Sequence, residues 1–163
     1  TATPISMYIN DNITLNKTAI VIQWHVISMF LPSLFTGYLI KKFGHSQIMF
    51  VGIIFFLISI LINFIDHTFY HYLFSLIFLG LGWNFLNISG TSLLIISYKK
   101  EEKFKAQGFN DFIVFSIQAI SSLLAGYFIY LTSWEMMNIF CIPLLVIILI
   151  VILRADSKEK QFN

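Results

Sequence analysis

The sequence predicts an all-α integral membrane protein: a bundle of five full membrane-spanning helices preceded by the end of another. Three observations carry this. The 163 residues are 58% hydrophobic and only 11% charged, whereas soluble domains are usually about one quarter charged. The mean hydropathy is +0.82. Apolar runs recur at the length of roughly 20 residues needed to cross a hydrocarbon core about 30 Å thick, with short polar turns between them.

The chain opens on Thr1-Ala-Thr-Pro-Ile-Ser-Met7, and residues 1–8 read as the last turns of a helix whose start is missing, so the chain is expected to be a fragment. A polar loop from Asn10 to Asn16 leads into a long apolar helix, Thr18 to Ile40. Further spans follow at residues 47–65, 69–98, 107–131 and 134–153, and residues 157–163 form a tail. No positively charged leader with a small-residue cleavage site is present. A single cysteine, Cys141, excludes an intrachain disulfide.

Orientation follows from the basic residues, which accumulate in cytoplasmic loops. Lys41, Lys42, Lys99, Lys100, Lys103, Lys105, Arg154, Lys158 and Lys160 fall in alternate connections or the tail, and Lys17 alone falls on the other side. The Lys41–Ser46 turn, the residue 99–106 connection and the C-terminus are therefore expected in the cytoplasm. These loops also account for the pI of about 8.7, so no nucleic-acid partner is implied. The lipid bilayer is the first partner expected.

The spans differ in polarity. Residues 47–65 and 142–153 are apolar almost all round and can face lipid. The other three carry polar or small residues on one side, which lipid penalises unless they pack or line water. At 100° per residue, His25, Ser28, Met29, Pro32 and Thr36 share a face, as do Gly80, Trp83, Asn84, Asn87, Thr91 and Tyr98. On the fifth span Gln107, Asp111, Gln118, Ser121, Ser122 and Ala125 align, with Asn110 at the edge. Met29 to Pro32, Asn84 to Asn87 and Gln118 fall near one depth, the membrane midplane. Such stripes also serve as glue between helices, but three at matching depth point to a polar cavity. Asn84, Asn87 and Gln118 can donate and accept, and Trp83 and Trp24 offer faces for a planar ligand, Trp24 equally an interfacial anchor.

Asp111 is the one acid expected inside a span, a candidate for carrying protons or gating; its place in the first turns of a helix also suits a purely structural carboxylate. His25 is the other titratable candidate, and a lone histidine is more often a packing residue. His67 and His71 have the i, i+4 spacing of a metal pair beside Asp66, but no further ligand set accompanies them, so no metal site is expected. No cofactor is implied. No nucleophile–base pair stands out, so an enzyme is not expected.

The stretch Gly37-Tyr-Leu-Ile-Lys-Lys-Phe-Gly-His-Ser46 resembles the loop signature of the major facilitator superfamily (MFS), with Lys41 where an acid is usual, as in the weaker copy in the C-terminal half of those transporters. Ala2-Thr-Pro4, Val21-Ile-Gln-Trp-His25, Met29-Phe-Leu-Pro-Ser33, Thr36-Gly37, Leu81-Gly-Trp-Asn-Phe85, Gly90-Thr-Ser-Leu-Leu94 and Ala106-Gln-Gly-Phe-Asn-Asp-Phe112 resemble a bacterial branch that includes riboflavin-transporter-like proteins. The resemblance covers helices 7 to 12, the first cut short, and implies an MFS-type six-helix half bundle.

It further implies a secondary transporter of the bacterial inner membrane, working by alternating access around a midplane site together with a missing N-terminal half. Helices 8, 10 and 11 would line the cavity with helix 7, while 9 and 12 face lipid. Gly37 and Gly44 would allow close packing and a sharp turn, and Lys41 and Lys42 would engage the other half or lipid headgroups. The substrate would be a small organic molecule, with a planar solute of the riboflavin kind accommodated by Trp and Asn side chains. The competing class is a non-transporting helical subunit that self-associates through its polar faces.

Overall fold

The computed structural model describes residues 2–162, without the side chains of residue 100 and residues 155–162. Every regular element among them is helical. α1 (Ala2–Ile5) runs into a π-helical turn, Ser6–Asn10. There follow α2 (Leu15–Phe30), α3 (Ser33–Phe43), α4 (His45–Asn63), α5 (Phe69–Ser97), α6 (Lys103–Leu131) and α7 (Trp134–Phe162). α4, α5, α6 and the Trp134–Arg154 part of α7 are long and apolar enough to cross a membrane, and α2 with α3 makes a fifth, bent span. The backbone of residues 157–162, expected as a tail, continues α7.

The helix expected from Thr18 to Ile40 is not continuous. It breaks at Leu31 and Pro32 and bends by 41°. Proline has no N–H to donate, and its ring crowds the carbonyl four residues earlier. The N–H of Leu31 still reaches Ile27 O (2.8 Å), but beyond it Phe35 and Thr36 both turn to Pro32 O, at 2.8 and 2.9 Å. The second half ends at Lys41 and Lys42, where cations favour the carbonyl end of a helix. Gly44 alone separates α3 from α4. Its backbone lies at φ 90°, ψ 160°, a region essentially restricted to glycine, and this permits the reversal within one residue.

α4 was expected to face lipid; instead it forms the spine of the bundle with α5. One side of it does point outward through Phe50, Ile54, Leu57 and Leu61. The opposite side is buried through Met49, Gly52, Ile53, Ser59, Ile60 and Asn63. Small groups let the two backbones touch, the usual means of helix association in lipid. A Cβ placed on Gly82 would lie 2.8 Å from Gly52 O. Hydroxyl and amide pairs fasten the same face: Ser59 Oγ lies 3.0 Å from Ser75 Oγ on α5, and Asn63 Nδ2 donates to Asn138 Oδ1 on α7 at 2.9 Å. The signal was present in the sequence as small residues, but apolar neighbours on every side masked it.

Away from the basic loops, Ala2, Met7, Val21, Tyr72, Leu76, Ile129 and Trp134 form a core that joins α1 and the π-helical turn to α2, α5, α6 and α7. Tyr72 O–H donates to Asp11 Oδ2 at 2.6 Å. Its single proton being committed there, Ser6 Oγ donates to Tyr72 at 2.8 Å. A second core of Met49, Ile53 and Ile152 joins α4 to α7 nearer the basic end. α6 stands apart: of its described residues only Ile129 is buried, and a space opens between its first half and α5.

Candidate functional site

That space is a cavity of about 630 Å³. α2 contributes Met29 and Phe30; α5 contributes Trp83, Asn87, Ile88, Thr91, Ser92 and Ile95; and α6 contributes Asn110, Asp111, Val114, Phe115 and Gln118. The spacing explains the grouping, since Trp83, Asn87, Thr91 and Ile95 recur every four residues, as do Asn110, Val114 and Gln118. Phe30 meets Trp83 edge to face, ring centroids 6.1 Å apart and planes at 66°. The indole and phenyl thus make an aromatic shelf at one end of the wall. Asn110 Nδ2 donates to Asp111 Oδ1 at 3.3 Å. His45 Nε2 lies 3.1 Å from Ser92 Oγ and ties the start of α4 to the α5 wall. Chemically the site offers two aromatic rings set at an angle, amides able both to donate and to accept, and one carboxylate.

Met29, Trp83, Asn87, Asp111 and Gln118 are brought together as the polarity of the three spans suggested. Asn84 and His25 are not. Asn84 is fully buried, 0% exposed, on the side of α5 that packs against the bent helix, so it sits behind the wall rather than on it. His25 points Nδ1 at Leu76 O, 2.8 Å away. A carbonyl only accepts, so Nδ1 carries the proton and the ring staples α2 to α5. Both residues lie within 100° of true wall positions, which is why the helical wheel could not separate packing from lining. Phe30 and Asn110, by contrast, lie on the wall although periodicity gave them little weight. Trp24 is about half exposed and off the cavity.

In the loop motif Lys41 and Lys42 are exposed, with Lys42 Nζ 5.1 Å from the centroid of the Phe43 ring. Gly37 has nothing within 4 Å of where its Cβ would stand. The close packing expected there occurs instead at Gly52, Gly80 and Gly82. His67 Nε2 approaches Glu135 Oε1 (3.4 Å), and His71 Nδ1 approaches Thr68 Oγ1 (2.6 Å). Among the described residues no three His, Cys, Asp or Glu side chains gather as a metal would need. A second cavity, of about 400 Å³, lies beyond α5 towards α4 and α7. Its wall is mainly apolar, and its serines and asparagines are paired with one another, which leaves the first cavity as the candidate.

In a comparison against protein families, residues 2–163 match the model of the Major Facilitator Superfamily. The chain belongs to the major facilitator superfamily. It is 38% identical over 159 residues to the riboflavin transporter RfnT of Brucella anthropi, an alignment covering 97% of this chain and 40% of that protein. Two uncharacterised MFS-type transporters of Bacillus subtilis, YddS and YdeG, are 30% identical over 141 residues and 31% identical over 136. Those alignments cover 85% and 82% of this chain, and 32% and 31% of the relatives. The chain therefore spans well under half the length of the MFS proteins it matches. No solved structure matches it.

Proposed function

We propose that the chain is the C-terminal half of a secondary transporter that moves a small planar organic solute across a bacterial inner membrane by alternating access. The observation that carries this is the cavity between α2, α5 and α6, where the Phe30–Trp83 shelf stands beside Asn87, Asn110, Asp111 and Gln118. Ligand sites of this kind combine a mostly apolar wall with a few converging polar groups. A flat heteroaromatic ring would stack on Trp83 while its edge exchanged hydrogen bonds with Asn87 and Gln118. A relative named as a riboflavin transporter makes a flavin the first solute to assay.

The exposed first half of α6 favours the same reading, because Phe109, Phe112 and Phe115 are each about two-thirds exposed and an N-terminal half would lie across them. The basic residues Lys41, Lys42 and Lys103 at that end support a cytoplasmic orientation for it. Asp111 is the candidate for coupling to protons. The test is riboflavin uptake by the intact protein reconstituted in vesicles. The variant with both Asn87→Ala and Gln118→Ala should raise KM for the solute at least tenfold, as loss of two hydrogen bonds of about 1 kcal/mol each predicts. Unaltered affinity in that variant would remove the assignment of this cavity as the substrate site.

A further inference from the structure

We infer that Asn84 is a positioning residue: through three hydrogen bonds it holds the 41° bend between α2 and α3 and thereby sets where Met29 and Phe30 stand on the wall of the cavity. This rests on the reading of that cavity as the substrate site of a transporter. Asn84 Nδ2 donates to Met29 O at 2.7 Å, just before the break, and to Ser33 Oγ at 2.7 Å, just after it. Asn84 Oδ1 accepts from Thr36 Oγ1 at 2.7 Å, one turn further on. The Met29 carbonyl can only accept, so it fixes which way round the amide sits. Both amide protons and the oxygen are then committed, and the single Thr36 hydroxyl proton is shared between Asn84 Oδ1 and Pro32 O, 2.8 Å away.

Pro32 has no N–H to offer the Ser28 carbonyl, so a helix broken here in lipid must find replacement partners for the groups set free. Asn84 supplies one such partner from a neighbouring helix, to the Met29 carbonyl, and bonds the Ser33 and Thr36 side chains beyond the break. The start and middle of α2 are held by other contacts, which reach no further than Met29 N: a Cβ on Gly80 would lie 2.7 Å from His25 O and 3.1 Å from Met29 N, and His25 holds Leu76 O. The Met29 carbonyl, the Phe30 that follows it and the half beyond Pro32 are the parts that depend on Asn84. On α5 Asn84 directly follows Trp83 and precedes Asn87 by three residues, so one helix turn carries the shelf, the polar contact and the clamp.

The test uses the intact transporter with spin labels at Leu15 and Tyr38, both exposed, and riboflavin uptake as a second readout. Asn84→Leu keeps the branching of the side chain, with bulkier methyl groups, and removes all three bonds. It should raise KM at least fivefold at unchanged membrane abundance and lengthen the label-to-label distance by about 2 Å as the bend relaxes towards a straight helix. Thr36→Val, which loses only the hydroxyl, should shift both readouts in the same direction by less, and Thr36→Ser should restore both; this pair carries the test if Asn84→Leu does not fold. An unchanged distance, or an unchanged KM beside a lengthened distance, overturns the proposal. Lack of riboflavin uptake by the unsubstituted protein strikes at the transporter reading instead, while the label distance still reports on the clamp.

Discussion

Gly52 and Gly82 face each other across the α4–α5 seam so closely that a Cβ on either would stand within 3.0 Å of the other's carbonyl oxygen. Backbone atoms cannot move aside as a flexible side-chain end can. Gly82→Ala would in addition drive into the Phe56 ring, 2.9 Å from the new Cβ. Overpacking of this kind costs about 1–3 kcal/mol, so the variant should melt several degrees lower in detergent, followed by intrinsic fluorescence. Gly90→Ala on the same helix meets nothing within 4 Å and should be neutral or slightly stabilising, since alanine is the better helix former. Equal melting temperatures for the two variants would contradict the packing described.

Gly44 leads to a different expectation. At φ 90°, ψ 160° its conformation lies outside even the left-handed region that asparagine tolerates. Gly44→Asn should therefore be no better than Gly44→Ala, and each should cost about 1–3 kcal/mol. Recovery of stability by asparagine alone, measured by the same melting assay, would count against the turn geometry.

Tyr72 supports the opposite end of the bundle. Its hydroxyl joins Asp11 and Ser6 (2.6 and 2.8 Å) while its ring packs on Trp134 at 5.5 Å. Tyr72→Phe keeps the ring and strands the Asp11 carboxylate, which should cost about 1.5–3 kcal/mol, the range for hydrogen bonds to charged groups. A double-mutant cycle with Asp11→Asn should give a coupling energy of at least about 0.5 kcal/mol. Strictly additive effects would mean that the two side chains do not communicate.

Much of this molecule was legible in the sequence because a bilayer imposes length and satisfaction rules that composition reveals. The spans at residues 69–98 and 134–153 nearly coincide with the start and apolar extent of α5 and α7, and polarity identified α2, α5 and α6 as the helices around the cavity. Pro32 was visible, but whether a proline kinks a helix depends on partners for the freed groups, and the one for the Met29 carbonyl comes from Asn84, 52 positions after the proline. The misplacement of Asn84 and His25 has the same origin: a helical wheel resolves faces about 100° wide, whereas burial behind a wall and exposure on it differ by one residue. The α4 seam was missed because glycines and serines among isoleucines and phenylalanines leave mean hydropathy nearly unchanged.

Asp111 remains the carboxylate on the cavity wall, bonded at 3.3 Å to Asn110 and about two helix turns from Gln118. Asparagine has nearly the same shape but holds no titratable proton, so Asp111→Asn separates charge from packing. If Asp111 couples transport to protons, the variant should lose accumulation driven by a pH gradient by at least tenfold and retain exchange of labelled for unlabelled solute, since exchange needs the site and the conformational change but no net proton movement. Loss of both activities would make Asp111 a part of the binding site or the gate rather than the coupling group. Unchanged pH-driven uptake would remove it from the mechanism; α6 starts at Lys103, so Asp111 lies in its third turn, past the free N–H groups that its expected place at the helix start would have given it.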